Sequence, residues 1–280
     1  MRGGRQGFRG RTVGFVLNGP DNLRQATPPG NAAGRALQPW DELKDEAGAV
    51  KLQPAHVYAN QRDWPGYFAA VASAPARETL VAAIEAAGAA GAAGAAGAVT
   101  GEAGGSGSAG GRPLAIDVGC GEGRDTIALL RAGYRVLAID GHPAAFERLE
   151  SRPDLTAELR GRLTVRLAAL EGLELARGAA RIVNVSYTLP FCLPAAFAAL
   201  WEQLTAAIAQ GGYFAGQMFG DRDSWAGLPD RTHHTRAQVD ALLAGFDVLS
   251  LREEEKTGKD LEQNTKHWHV FHIVARKPGR

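Results

Sequence analysis

From residue 113 onward, short apolar runs alternate with stretches whose apolar residues recur every three or four positions. The runs Leu114–Val118 (LAIDV), 134–139 (YRVLAI), Leu163–Leu167 (LTVRL), 181–185 (RIVNV) and 213–219 have the length and composition of buried strands. Residues 125–132, Pro143–Glu150 and 194–209 carry helical periodicity between them. Pro143 falls in a first turn, where its fixed φ and missing N–H do no harm. Thr235 with Gln238 makes a capping box for a further helix to about residue 244. Residues 246–254 and 267–276 form two closing strands joined by a polar turn. That turn leaves no room for a crossover helix, so the pair predicts an antiparallel hairpin at one sheet edge. Strands alternating with helices predict an α/β fold: a doubly wound, mostly parallel sheet of seven strands with helices on both faces.

The N-terminal region reads differently. Residues 1–50 mix Arg, Gly, Pro and Asn without sustained periodicity and predict an unstructured basic tail. Its arginines could belong to an organelle transit peptide, but it lacks the serines such peptides favour, and a plain extension is expected. Residues 51–280 form the domain, interrupted by an Ala/Gly-rich insertion at about 86–111 that offers no large side chain to bury. The insertion should extend the end of a helix that starts near residue 76 and carries Leu80, Val81 and Ile84 on one face. Upstream, Pro65 would open a short helix. Tyr58, Trp64, Tyr67 and Phe68 there read equally as a lid over a ligand or as a cap on the core.

Composition narrows the function classes. The 280 residues are 45% hydrophobic and 22% charged, enough apolar material for one buried core. No apolar run approaches the roughly 20 residues a bilayer-spanning helix needs, so no membrane span is expected. Lys and Arg total 31 against 30 Asp and Glu, a net charge of +1 that gives no field for gripping nucleic acid. Two cysteines, Cys120 and Cys192, are too few for a disulfide framework and suit a reducing, cytoplasmic setting.

The densest chemistry lies at residues 115–123, AIDVGCGEG. A buried strand ends in Asp117; Gly119, Gly121 and Gly123 alternate with Cys120 and Glu122; a helix follows. Without Cβ atoms, such a turn can adopt positive φ and let a ligand approach the backbone. Open parallel sheets bind ligands beyond the carboxyl ends of their strands, where this loop falls. About twenty residues on, the second strand ends at Asp140 and Gly141, and a carboxylate there can accept both hydroxyls of a ribose. A dinucleotide fingerprint would require a small residue at position 124, where this chain has Arg124. A nicotinamide-dependent oxidoreductase is therefore a rival reading that fails at one of its three marker positions.

Strand, Asp117, GxGxG, helix, strand and Asp140 in this register resemble the cofactor loop of class I S-adenosylmethionine-dependent methyltransferases. DVGCGEGRDTIALL is similar in particular to the loop of the small tellurite-resistance-type enzymes. VLAID, VNVSYTLPF and GGYFAGQMFG resemble the second, fourth and fifth strands, so the likeness covers most of the chain after Tyr58. It implies a Rossmann-like fold and S-adenosyl-L-methionine as cofactor. It further implies that Asp117, Gly119, Cys120, Gly121, Gly123 and Arg124 face the methionine end and that Asp140 and Gly141 hold the ribose. Ala169 and Leu170 would contact adenine, and Ser186 would lie near the transferred methyl. One departure stands out: the Asp that such enzymes often carry after the third strand is replaced by Ala168-Ala169-Leu170-Glu171, with Glu171 a candidate substitute.

Methyl transfer is an in-line displacement to which a protein contributes alignment and exclusion of water. A base is needed only where the acceptor must lose a proton. The candidates are Tyr187, His233 and His267. Tyr187 follows the fourth strand within YTLPF, which is not the NPPY-type signature of adenine methylases; it reads equally as a packed aromatic. His233 and His234 precede a helix, whose N-terminus favours a neutral imidazole. After the fifth strand, Asp223 and Trp225 shape an acceptor pocket or belong to a solvated loop. His267 and His269 share one strand face, opposite Trp268 and His272, and Lys266 or His267 would reach the substrate. No carboxylate or cysteine pattern near these histidines completes a ligand set, so no metal is expected. The expected function is methyl transfer to a small thiol, oxyanion or hydroxyl acceptor, without nucleic-acid or membrane partners. A non-catalytic nucleoside-binding module is the rival from another class.

Overall fold

A computed structural model describes residues 63–97, 111–260 and 264–279. The basic tail at 1–50, Tyr58 and residues 98–110 of the Ala/Gly insertion lie outside the described residues. The strands are β1 (Leu114–Val118), β2 (Arg135–Asp140), β3 (Leu163–Leu167), β4 (Ala180–Val185), β5 (Ile208–Gly220), β6 (His233–His234), β7 (Asp247–Lys259) and β8 (Thr265–Arg276). They form one sheet in the order β3-β2-β1-β4-β5-β8-β7, with the two-residue β6 paired to the end of β5. β1 to β5 run parallel, while β8 is antiparallel to both β5 and β7. The chain steps outward from β1 to β3, then returns to β4 on the other side of β1. This reversal opens a crevice at the carboxyl ends of β1 and β4, where such sheets bind ligands.

Helices cover both faces because successive strand residues point to opposite sides. Ile116 and Val118 pack with Phe197, Leu200, Trp201 and Leu204 of α6 (Pro194–Ala207) and Val239 of α7 (Arg236–Leu242). Ala115, by contrast, packs with α2 (Glu78–Gly97), α3 (Arg124–Arg131) and α4 (Pro143–Glu150) through Leu80, Ala83, Ile127, Leu130, Phe146 and Leu149. The remaining helices are α1 (Trp64–Val71), begun by the Asp63 side chain capping the Gly66 N–H, and the short α5 (Ala157–Arg160). The capping box at Thr235 and Gln238 forms as expected. None of the described helices is long and apolar enough to cross a membrane.

Four details differ from expectation, each for a local reason. The buried face of α2 is Leu80, Ala83 and Ala87, with Ile84 beside it, whereas Val81 is exposed. One hundred degrees per residue puts Val81 off that stripe. The Gly211-Gly212 pair, just outside the expected strand 213–219, belongs to that strand. It lies inside β5, where the register against β4 jumps between Ala180 and Ile182 and Gly211 takes φ +71°. The closing hairpin is longer than its apolar runs. Residues 255–259, three of them charged, continue β7 because each finds a partner on β8, from Glu255 opposite His269 to Lys259 opposite Thr265. Finally, β6 adds an eighth strand too short to leave a periodic signal.

Candidate functional site

The loop after β1 turns through three positive φ angles: +72° at Gly119, +53° at Gly121 and +88° at Gly123. Their roles separate. A Cβ on Gly119 would overlap the Thr188 hydroxyl, and one on Gly123 would overlap Leu149, so these positions are closed to side chains by packing as well as by φ. Gly121 instead turns its open side to the Phe68 ring, 3.3 Å from where a Cβ would lie. The Gly119 and Cys120 N–H groups are spent on the Ile139 carbonyl, and the Gly121 N–H donates to Asp140 Oδ2 at 2.9 Å. Asp140 Oδ1 accepts from the His142 N–H at 2.8 Å. Each carboxylate oxygen keeps a second lone pair for a hydroxyl donor.

These groups line a cavity of about 620 Å³, within the range of small-molecule sites. It is built from the carboxyl edge of the sheet, roofed by Phe68 and Tyr67 of α1 and closed at the far end by the β7–β8 hairpin. The two ends differ in chemistry. The end over β1–β3 collects buried acids: Asp117, Glu122 and Asp125, with Asp140 beside them. Asp117 accepts from Thr126 Oγ1 at 2.6 Å and from Asn184 Nδ2 at 2.8 Å, and the same amide reaches Asp125 Oδ2 at 3.1 Å. Burial first, and then the neighbouring Asp125 charge, push the Asp117 carboxyl up to about 7. Burial likewise raises Glu122 and Asp140. Arg124 pairs with Glu122 at 3.4 Å, leaving the acids of this end undercompensated.

The other end, over β4, β5, β8 and β7, is aromatic. Tyr187, Phe191, Phe219, Trp225 and Trp268 line it, with Lys256 and Lys259 at its mouth. Tyr187 has φ +54°, the sole positive φ at a non-glycine among the described residues. Such a backbone costs on the order of 1–3 kcal/mol and persists where its surroundings fix it. Here its N–H donates to Gln217 Oε1 at 3.1 Å, Gln217 Nε2 donates to Thr79 at 2.9 Å, and the Arg77 guanidinium stands 4.5 Å over the ring. Burial raises the Tyr187 hydroxyl above its ordinary value.

Of the residues expected at the site, Asp117, Gly119, Cys120, Gly121, Arg124, Asp140, Gly141, Leu170, Ser186 and Tyr187 line this one cavity. Gly123 does not; it is the helix N-cap and a packing position. Ala168 replaces Ala169 in the lining, because alternation after β3 turns the neighbouring residue inward. Glu171 lies outside the lining, and its charge instead acts on Cys192. His233 is buried under Phe219 and 3.8 Å from Asp223, outside the lining. His267 points to the opposite face and meets Glu255 at 3.1 Å, so neither histidine faces the cavity. Lys266 is buried and ion-paired with the buried Asp223, which anchors the loop after β5 while Asp221, Arg222 and Ser224 of that loop stay exposed. The sequence showed no carboxylates near His269, yet the hairpin register brings Glu253 and Glu255 to it. Arg222 already binds both, at 2.7 and 2.5 Å. Reading the sequence missed Arg77, Asp125, Asn184 and the hairpin lysines. Asn184 had a signal: a buried amide within RIVNV, opposite Asp117 once β4 is placed beside β1.

A parallel sheet reversed at β1 and β4, a glycine turn over the crevice and a carboxylate on the next strand define a nucleoside-binding α/β fold of the methyltransferase type. Residues 115–212 match the family described as "Methyltransferase domain". Among solved structures, TehB from Haemophilus influenzae is similar to this chain at 15% identity and a TM-score of 0.50, over 67% of this chain and 62% of that one. The chain thus spans less than two thirds of TehB. A SAM-dependent methyltransferase from Methanosarcina mazei is 18% identical over 60% of this chain and 94% of its own, with a TM-score of 0.47. A 1,6-didemethyltoxoflavin-N1-methyltransferase from Burkholderia thailandensis, with S-adenosylhomocysteine bound, is 22% identical over 60% and 72%, with a TM-score of 0.43. The search among curated proteins returns no match.

Proposed function

We propose that the chain transfers a methyl group from S-adenosylmethionine to a small-molecule acceptor, with the cofactor held at the acid-rich end of the cavity. The observation that carries this reading is the match between cofactor charge and site. Three buried carboxylates cluster there, and a cationic ligand group would relieve the strain recorded in the raised Asp117. Asp117 and Asp125 would take the ammonium, reinforced by the Asn184 amide that links them. Arg77, whose Nε is buried without a hydrogen bond, would take the carboxylate. Asp140 would accept from the ribose hydroxyls through the lone pairs left by Gly121 and His142. Ala168 and Leu170 would give adenine an apolar slot in place of the acid that related enzymes carry.

Held there, the cofactor would supply an electrophilic methyl group for an acceptor lone pair, with the carbon–sulfur electron pair leaving on sulfur. The chain's own work is alignment and dryness. Phe68 and Tyr67 cover the cavity, and Ser186, Tyr187 and Thr188 bridge its two ends at the carboxyl end of β4. Tyr187 is the sole sequence-level catalytic candidate that reaches the cavity. Its raised hydroxyl pKa suits a hydrogen-bond donor rather than a base. A radiolabelled methyl-transfer screen over phenols, thiols, selenite and tellurite tests the reading. Labelled product that disappears in Asp140→Ala supports it; binding of S-adenosylhomocysteine without transfer to any acceptor class favours a non-catalytic module.

A further inference from the structure

The chamber over β4, β5, β8 and β7 has a construction of its own. Lys266, 1% exposed, lies on β8 with its ammonium 3.8 Å from the Trp225 ring centre, 4.4 Å from Trp268 and 5.3 Å from Phe219. Its charge is paired with Asp223, a buried carboxylate that also accepts from the Trp225 N–H at 2.9 Å and the His269 N–H at 3.2 Å. Three aromatic rings around a cation would ordinarily mark a receptor for an amine or quaternary ammonium. Here the protein supplies that cation itself. The same three residues line the cavity.

The mouth of this chamber is cationic. Lys256 and Lys259 extend from the end of β7, and Arg77 stands over Tyr187. The local carboxylate, Glu254, is shared: it meets Lys256 at 2.5 Å, Arg252, and His272 at 3.5 Å. These cations hold it down to about 2, so it stays a fully charged counter-ion with no capacity for a further one. Arg252 is also met by the exposed Glu78 at 3.5 Å. Of the cavity lining at this end, Lys256 and Lys259 therefore stand against one carboxylate, Glu254.

We propose that the acceptor is a planar aromatic anion, an arene or heteroarene bearing a carboxylate or an ionised hydroxyl. The ring would lie against Trp225, Trp268 and Phe219, with its charge toward Lys256 and Lys259. This deepens the methyl-transfer reading and rests on it. Flat rings offer stacking that aliphatic acids and inorganic oxyanions cannot use, and the lysines favour anions over amines. An anionic acceptor also matches the cofactor's positive charge, so that a sulfonium and an anion would yield two neutral groups with no proton to remove. That agrees with the lack of a histidine or carboxylate at this end of the lining placed as a free base.

Calorimetric titration of the full chain saturated with S-adenosylhomocysteine tests this without relying on turnover. The probes are 4-hydroxybenzoate, quinoline-2-carboxylate, cyclohexanecarboxylate, benzyltrimethylammonium and selenite. An aromatic acid should bind at least about tenfold more tightly than cyclohexanecarboxylate, selenite or the ammonium. Lys256→Gln should weaken the aromatic acid about tenfold and leave the S-adenosylhomocysteine constant unchanged. Equal binding of cyclohexanecarboxylate or selenite, preference for benzyltrimethylammonium, or no binding of either aromatic acid at millimolar concentration would overturn the proposal. Failure of S-adenosylhomocysteine to bind would instead remove the methyl-transfer reading, and this proposal with it. Trp268→Leu should weaken the aromatic acid about tenfold; where that variant folds poorly, quenching of intrinsic Trp emission in the wild-type chain reads the same contact, and an aromatic acid should produce it while cyclohexanecarboxylate should not.

Discussion

The two ends of the cavity are built on opposite plans. The end over β1–β3 is made of backbone: positive-φ glycines, strand-terminal carboxylates and N–H groups turned toward them. The end over β4–β8 is made of large side chains carried by a long hairpin and braced by a buried lysine. A backbone cradle tolerates little change and dictates its residues one by one. A wall of aromatic side chains can be rebuilt by many sequences. On the proposed function, the first end would carry the class of chemistry and the second the choice of partner.

Substitutions that break this contrast should differ in kind. The largest effect is expected from Lys266→Met, which leaves Asp223 buried without its cation. A loss of about 3–5 kcal/mol in chemical denaturation follows from removing one partner of a buried pair. Gly119→Ala forces a side chain into Thr188 and into a left-handed backbone. It should cost about 2–3 kcal/mol of stability and at least about 100-fold in S-adenosylhomocysteine affinity, read by denaturation and titration. Asp140→Ala frees the Gly121 and His142 N–H groups and should weaken the same ligand by about 1–3 kcal/mol with a smaller change in melting temperature.

A pH dependence sharpens the same contrast. Asp117, raised to about 7 in the folded chain from an ordinary value of 3.8, binds more protons folded than unfolded between those limits. Its contribution to stability is fully present below about pH 4 and is lost as pH rises through about 7. A ligand ammonium reverses that preference by favouring the ionised form. S-adenosylhomocysteine affinity should accordingly climb with pH up to about 7, by at most about tenfold per unit. Calorimetry in buffers of different ionisation heat should show proton release on binding in that window, and Asp117→Asn should abolish it. The smallest effect is expected from Tyr187→Phe. The backbone strain stays and the ring still packs, so stability should shift by less than about 1 kcal/mol, while acceptor binding reports any use of the hydroxyl.

Legibility followed the same division. The glycine loop, Asp140, the β1–β4 strands and the closing hairpin could be read because backbone conformation and burial restrict residue type locally. Gly123 and Ala169 were misplaced by one function each, since a motif gives positions without saying which side of the loop faces the ligand. His233 and His267 went astray because a histidine's chemistry depends on what it faces, and Asp223 and Glu255 are distant in sequence. Lys256 and Lys259 lay in a stretch of charge that resembles a solvated turn; cross-strand pairing with Trp268 and Thr265 turns it into the cavity rim. Asn184 and Arg77 become visible once strand order is known, because both act on Asp125 or Asp117 across the crevice.

The whole account stands on the acid-rich end accepting a cationic nucleoside. Titrating the full chain with S-adenosylhomocysteine at pH 7 is the direct measurement. Saturable one-to-one heat that falls in Asp140→Ala is the predicted result; a flat trace up to millimolar ligand, or equal heat in wild type and variant, would contradict it.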